Sequence, residues 1–90
     1  MTVTNLIHSK LTQSLAPTRL IIVDDSARHI GHGGHHTDGE SHFQITVVSA
    51  TFEGKPMLAR HRMVYQLLAE EMASRVHALC LRTLTPTEDI

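Results

Sequence analysis

His42-Phe43-Gln44-Ile45-Thr46-Val47-Val48-Ser49, followed by Phe52-Glu53-Gly54-Lys55-Pro56, is the stretch on which the fold turns. Phe43, Ile45 and Val47 alternate with Gln44 and Thr46, the period-two pattern of a strand with one buried face. Phe52 to Pro56 reads as a turn, and Pro56 can open a helix because its fixed φ and missing N–H suit a first helical turn. Beyond it Met57, His61, Val64, Tyr65, Leu68 and Met72 recur at helical spacing. That stripe predicts one long amphipathic helix, with Glu70, Glu71 and Arg75 bringing charge near its end.

Upstream, Val3, Ile7, Leu11 and Leu15 repeat every four residues, with Leu6 beside them, as the apolar face of a first helix. Thr2 or Thr4 can cap its start, and Pro17 stops it. Leu20-Ile21-Ile22-Val23 is a continuous aliphatic run, expected as a strand covered on both faces. From Asp24 to Ser41 there is little to pack: Gly31, Gly33, Gly34 and Gly39 interrupt His29, His32, His35 and His36. A loop of this length inside a small domain is usually functional or disordered. Downstream, Val76 to Leu84 reads as the last strand, with His77 at its start, and Thr85-Pro86-Thr87-Glu88 can cap a final turn. The order is helix, strand, strand, helix, strand, an α+β (α/β) domain expected to span 1–90 as one unit.

Ninety residues allow one modest core. The chain is 41% apolar with only Phe43, Phe52 and Tyr65 as aromatics, so aliphatic and Met side chains fill that core. The formal charge is −1 with histidines neutral, against the basic excess of a dedicated nucleic-acid binder. Protonating all eight histidines would carry the charge to +7, around an ordinary imidazole pKa of about 6.5. Cys80 is the only cysteine, which excludes a disulfide within the chain; on an apolar strand it is expected as a small core residue. No basic-then-apolar leader pattern and no apolar run near 18 residues is present, so a soluble, cytoplasmic protein without membrane contact is expected.

Catalytic motifs are not evident. No Ser or Cys nucleophile sits beside a His in a recognisable pattern, and no glycine loop that would cradle phosphate precedes a helix. Asp24 and Asp25 are adjacent, and on a strand they would point to opposite faces. A non-enzymatic role is therefore expected. Gly31-His32-Gly33-Gly34 matches the GxxG pattern of nucleic-acid clamps, but it lies between strands, not between helices as that clamp requires.

Several segments, in this order and spacing, resemble the BolA family over nearly the whole chain. They are Val23-Asp24-Asp25-Ser26 with His29; Gly39-Glu40-Ser41-His42-Phe43; Val47-Val48-Ser49 with Phe52-Glu53-Gly54; Arg60-His61-Arg62-Met63-Val64-Tyr65; Leu68-Ala69-Glu70-Glu71; and Val76-His77-Ala78-Leu79 with Thr85-Pro86. The resemblance implies a class II KH-like fold, with a three-stranded mixed sheet packed against helices. It also implies a partner, a monothiol CGFS-type glutaredoxin, joined through a bridging [2Fe-2S] cluster. In that picture the glutaredoxin cysteine and a glutathione thiolate supply two ligands. The BolA chain supplies two more, one from the loop between the first two strands and one from the start of the last strand. These positions correspond to His29 and His77, with His32 as the reserve loop ligand.

The residues themselves suit such chemistry. A neutral imidazole is a common ligand for iron, copper and zinc, and two of them with one cysteine leave a centre incomplete without a partner. Replacing two thiolates by imidazoles removes negative charge and raises a cluster's potential, and it makes binding pH-sensitive. The isolated chain is accordingly expected to hold no cluster tightly, and to be a monomer or weak homodimer. His32, His35 and His36 could equally pick up divalent metal adventitiously. His42 and His61 read as structural residues and His8 as a solvated one. The second functional reading is a DNA-binding regulator using Arg60, Arg62, Lys55 and Arg75 as a basic helix; the plainer reading of that face is pairing with Glu70 and Glu71.

Overall fold

A computed structural model describes residues 2–24 and 42–89. The first helix, α1, spans Val3–Leu15 and buries Val3, Ile7, Leu11 and Leu15. Thr2 caps it, its Oγ1 accepting from the Asn5 N–H at 3.0 Å. It ends at Ala16, which takes the left-handed conformation (φ 44°, ψ 56°) and donates its N–H to the Thr12 carbonyl. Pro17 prevents the chain from continuing helically.

The sheet has three strands, β1 (Arg19–Asp24), β2 (His42–Val48) and β3 (Ala78–Leu84), in the order β1-β2-β3. β1 pairs antiparallel with β2, and β2 parallel with β3. A parallel pair needs a long crossover. Here it contains a 3-10 turn at Ala50–Phe52 and two helices, α2 (Met57–Leu67) and α3 (Ala69–Ser74). Gly54, at φ +76°, makes the turn before α2. The core joins the buried face of α1 to Phe43, Ile45 and Val47 of β2, to Phe52, and to Val64, Leu68 and Val76. Ser49 stitches these layers: its Oγ donates to the Leu15 carbonyl at 2.6 Å and its N–H to the Leu84 carbonyl at 2.9 Å. Among the described residues no helix is long and apolar enough to cross a membrane.

The mixed sheet and the strand alternation of β2 match the sequence reading, with the following corrections. β1 is covered on one face only: Leu20 and Ile22 pack against the core, whereas Ile21 and Val23 are 42% and 46% exposed. Cys80 lies on that same open face and is exposed, not a core residue, because the helices all pack on the other side. The expected long helix is two, broken at Leu68 (φ −103°, ψ 20°), whose side chain is buried in the core. β3 begins at Ala78 and not Val76, so His77 stands just before the strand.

The inward face of α2 and α3 is also turned from the expected stripe. Val64 and Leu68 are buried as expected, but the other buried positions are Arg60 and Glu71, at 7% and 6% exposure, while Met57 and Tyr65 are exposed. Each buried charge has a distant partner. The Lys10 ammonium from α1 lies 2.9 Å from the Glu71 carboxylate and 3.1 Å from Glu70. These contacts give Glu70 and Glu71 to α1, not to the basic residues of α2.

Candidate functional site

The end of the sheet where β1 stops and β2 starts gathers the residues of most chemical interest. Asp24 pairs with Phe43 and His42 with Ala78, so the last residue of β1, the first of β2 and the first of β3 are neighbours. Segment 25–41 joins Asp24 to His42, so both of its described flanks lie at this end. His29 and His32 fall within it and lie outside the described residues.

His77 reaches this end because the crossover delivers it there. The N–H groups of Arg75 and Val76 both donate to the Glu71 carbonyl, at 2.9 and 2.8 Å, which closes α3. Val76 is buried in the core, and the next residue is held outward at the strand's mouth, where the His77 side chain is exposed. The His42 ring meets the His77 ring edge-on, with centroids 5.9 Å apart and planes at 72°. Among the described residues no group of three or more His, Cys, Asp or Glu is gathered to hold a metal. His42, read from sequence as structural, packs against His77; its place there depends on the parallel pairing of β2 with β3, which neither strand announces alone.

The residues of the basic helix separate in the structure. Arg60 turns inward. Its Nε donates to the Lys55 carbonyl at 2.8 Å, and its Nη1 donates to the Thr83 carbonyl at 3.1 Å and to Glu88 Oε1 at 2.7 Å. The guanidinium also lies 6.0 Å from the Phe52 ring centroid. Hydrogen bonds from Arg60, then from the Thr85 N–H, pull the Glu88 carboxyl down to about 2 from its ordinary 4.5. Arg60 is committed to holding the C-terminal turn and does not sit on a solvated basic face. Arg62 is exposed and shares a groove with Lys55, while Arg75 is exposed beyond the end of α3. His61 is half-buried, and its Nε2 is buried with no hydrogen-bond partner among the described residues.

The family model described as BolA-like protein matches residues 11–88. The chain belongs to the BolA family. It is 45% identical over 83 residues to "Protein BOLA1, chloroplastic" of Arabidopsis thaliana, covering 90% of this chain and 52% of that protein. It is 43% identical over 88 residues to "DNA-binding transcriptional regulator BolA" of Escherichia coli strain K12, covering 98% of this chain and 80% of that one. The solved structure of BolA1 from Arabidopsis thaliana superimposes with a TM-score of 0.84 at 38% identity, covering 96% of this chain and 94% of that one. The chain thus spans about half the length of the plant BOLA1 protein, and the family match over 11–88 includes every described element of the sheet and its crossover.

Proposed function

We propose that this BolA chain is a non-enzymatic partner of a monothiol glutaredoxin, joined to it through a shared [2Fe-2S] cluster in iron–sulfur handling or iron and redox sensing. The observation that carries this reading is the exposed His77 imidazole, packed edge-on against His42 at the sheet end that bears both flanks of segment 25–41. The donor set fits a cluster only in part: imidazoles are present, and the missing thiolates would come from the glutaredoxin cysteine and glutathione. His77 would be one ligand and His29 the other, with His32 in reserve, and His42 would orient the His77 ring. Bound there, the cluster would supply one-electron redox chemistry. The protein's share is to present neutral imidazoles, fix one of them on a rigid strand mouth, and leave space for a partner. A ligating imidazole must be neutral, so assembly would weaken as pH falls through the histidine range.

The test is anaerobic reconstitution with a monothiol glutaredoxin, glutathione, iron and sulfide, read by visible absorption and circular dichroism. A spectrum distinct from the glutaredoxin's own, lost in His77→Ala and His29→Ala, supports the two-histidine site. An unchanged glutaredoxin spectrum with the wild-type chain ends the proposal.

The second reading, DNA binding, draws on the name of the Escherichia coli relative, on the exposed cations Arg62 and Arg75, and on the half-buried Lys55. It loses Arg60, whose guanidinium is spent inside the fold. Affinity for duplex DNA that falls steeply with salt and is lost in Arg62→Glu would support it; salt-insensitive or absent binding would remove it.

A further inference from the structure

The outer face of α2 carries a feature that neither reading uses. An open groove of about 390 Å³ runs along it, floored by Pro56, Leu58, Ala59 and Met63 and flanked by Lys55 and Arg62. Leu58 is 62% exposed, the highest exposure among the large apolar side chains of the described residues. Single exposed apolar residues are ordinary; an exposed leucine in a groove between two cations is less so.

The charges around it are uncompensated. Lys10, Arg19 and Arg60 each have a carboxylate partner, Glu70 and Glu71, Asp89, and Glu88 respectively. Among the described residues neither Lys55 nor Arg62 has one within ion-pairing distance. The groove is therefore apolar in its floor and positive at its rim, and a complementary ligand is apolar in its centre and negative at its edges.

We propose that this groove docks an acidic segment of a partner protein, one that presents an apolar side chain between carboxylates. The apolar side chain would cover Leu58 and Met63, and the carboxylates would meet Lys55 and Arg62. Duplex DNA suits the surface less well. With Arg60 turned inward, two cations would neutralise about two phosphates, and phosphates give the exposed Leu58 nothing to pack against. The groove shares no lining residue with the histidine end. The N-terminal end of α2 sits beside Thr83, where the Thr83 hydroxyl donates to the Met57 sulfur at 3.1 Å. Thr83 lies five residues along β3 from Ala78, about 16 Å at the rise of an extended strand. Docking here does not depend on whether a cluster is shared at the other end.

The experiment uses the full chain and a defined probe, a fluorescein-labelled synthetic peptide with glutamates on both sides of a single leucine. Amide shifts in an ¹⁵N-labelled sample should concentrate at Lys55, Leu58, Arg62 and Met63 as peptide is added. Reversing both rim charges (K55E/R62E) should weaken binding about tenfold or more. Leu58→Ser in the chain, or Leu→Ser in the peptide, should weaken it by a similar factor, and a peptide with lysines for the glutamates should not bind. The peptide variants leave the fold untouched, so they decide the matter if a chain variant misfolds. The proposal is overturned if no shifts appear at millimolar peptide, or if they fall away from the groove. It is also overturned if a short DNA duplex displaces the peptide and its binding is lost in R62E, which would make the surface a nucleic-acid site.

Discussion

Arg60 shows how one side chain can carry a different task from the one its neighbours suggest. In Arg60-His61-Arg62 the two arginines look equivalent, yet one is 7% exposed and holds Lys55, Thr83 and Glu88 while the other lies open to solvent. Arg60→Met should lower the melting temperature by roughly 5 °C or more, since buried carbonyls lose their donor; Arg62→Met should leave it nearly unchanged. Differential scanning calorimetry of the two variants makes the comparison. The link to Glu88 adds a pH dependence of known sign. In the unfolded chain this carboxyl titrates near 4.5, and in the folded chain near 2, so its contribution is full above 4.5 and is lost as pH falls toward 2. The stability difference between wild type and Glu88→Gln should shrink across that interval in urea titrations. A difference that stays constant there would mean that the ion pair contributes nothing. His77 is the opposite case, its side chain exposed at the strand's mouth: His77→Ala should change unfolding free energy by no more than about 0.5 kcal/mol while removing the cluster spectrum.

At the scale of the elements, strands and helices were legible where pattern and burial coincide. The i, i+4 spacing of Val3, Ile7, Leu11 and Leu15 and the alternation of Phe43, Ile45 and Val47 gave correct buried faces because apolar residues there are all core residues. β1 misled because four aliphatic residues in a row have no alternation to read; only its position at the sheet edge, with helices on one side, exposes Ile21 and Val23. The face of α2 misled for the converse reason, since Arg60 and Glu71 are charged in the sequence but neutralised by partners 28 and 61 residues away. The α1 terminus offers an element-scale test. Ala16 holds a left-handed conformation that costs an L-residue with a Cβ about 1 kcal/mol, part of which glycine would return through a more flexible unfolded state. Ala16→Gly should accordingly stabilise the chain by a few tenths to about 1 kcal/mol in chemical denaturation, and a loss of stability would refute the capping argument.

For the molecule as a whole, the fold separates two surfaces. The histidine end is set by where β2 and β3 begin, and the α2 groove is lined by residues from Lys55 to Gln66. With no shared side chain, the two should behave additively. Arg62→Glu should leave the reconstituted cluster spectrum with glutaredoxin intact, and His77→Ala should leave the affinity of the acidic peptide unchanged. Coupling in either direction would show that the two sites share an interface. Much of this architecture follows from the sequence alone: an α+β fold, the order of α1 and the strands along the chain, the buried faces of α1 and β2, and the family. Those features are local, written in spacing and in short ordered motifs. The packing of His42 against His77, the inward turn of Arg60, the open face bearing Cys80 and the positive apolar groove on α2 were decided only in three dimensions. Each depends on which distant segment arrives beside it, and that is fixed by strand order and by the side of the sheet the helices cover.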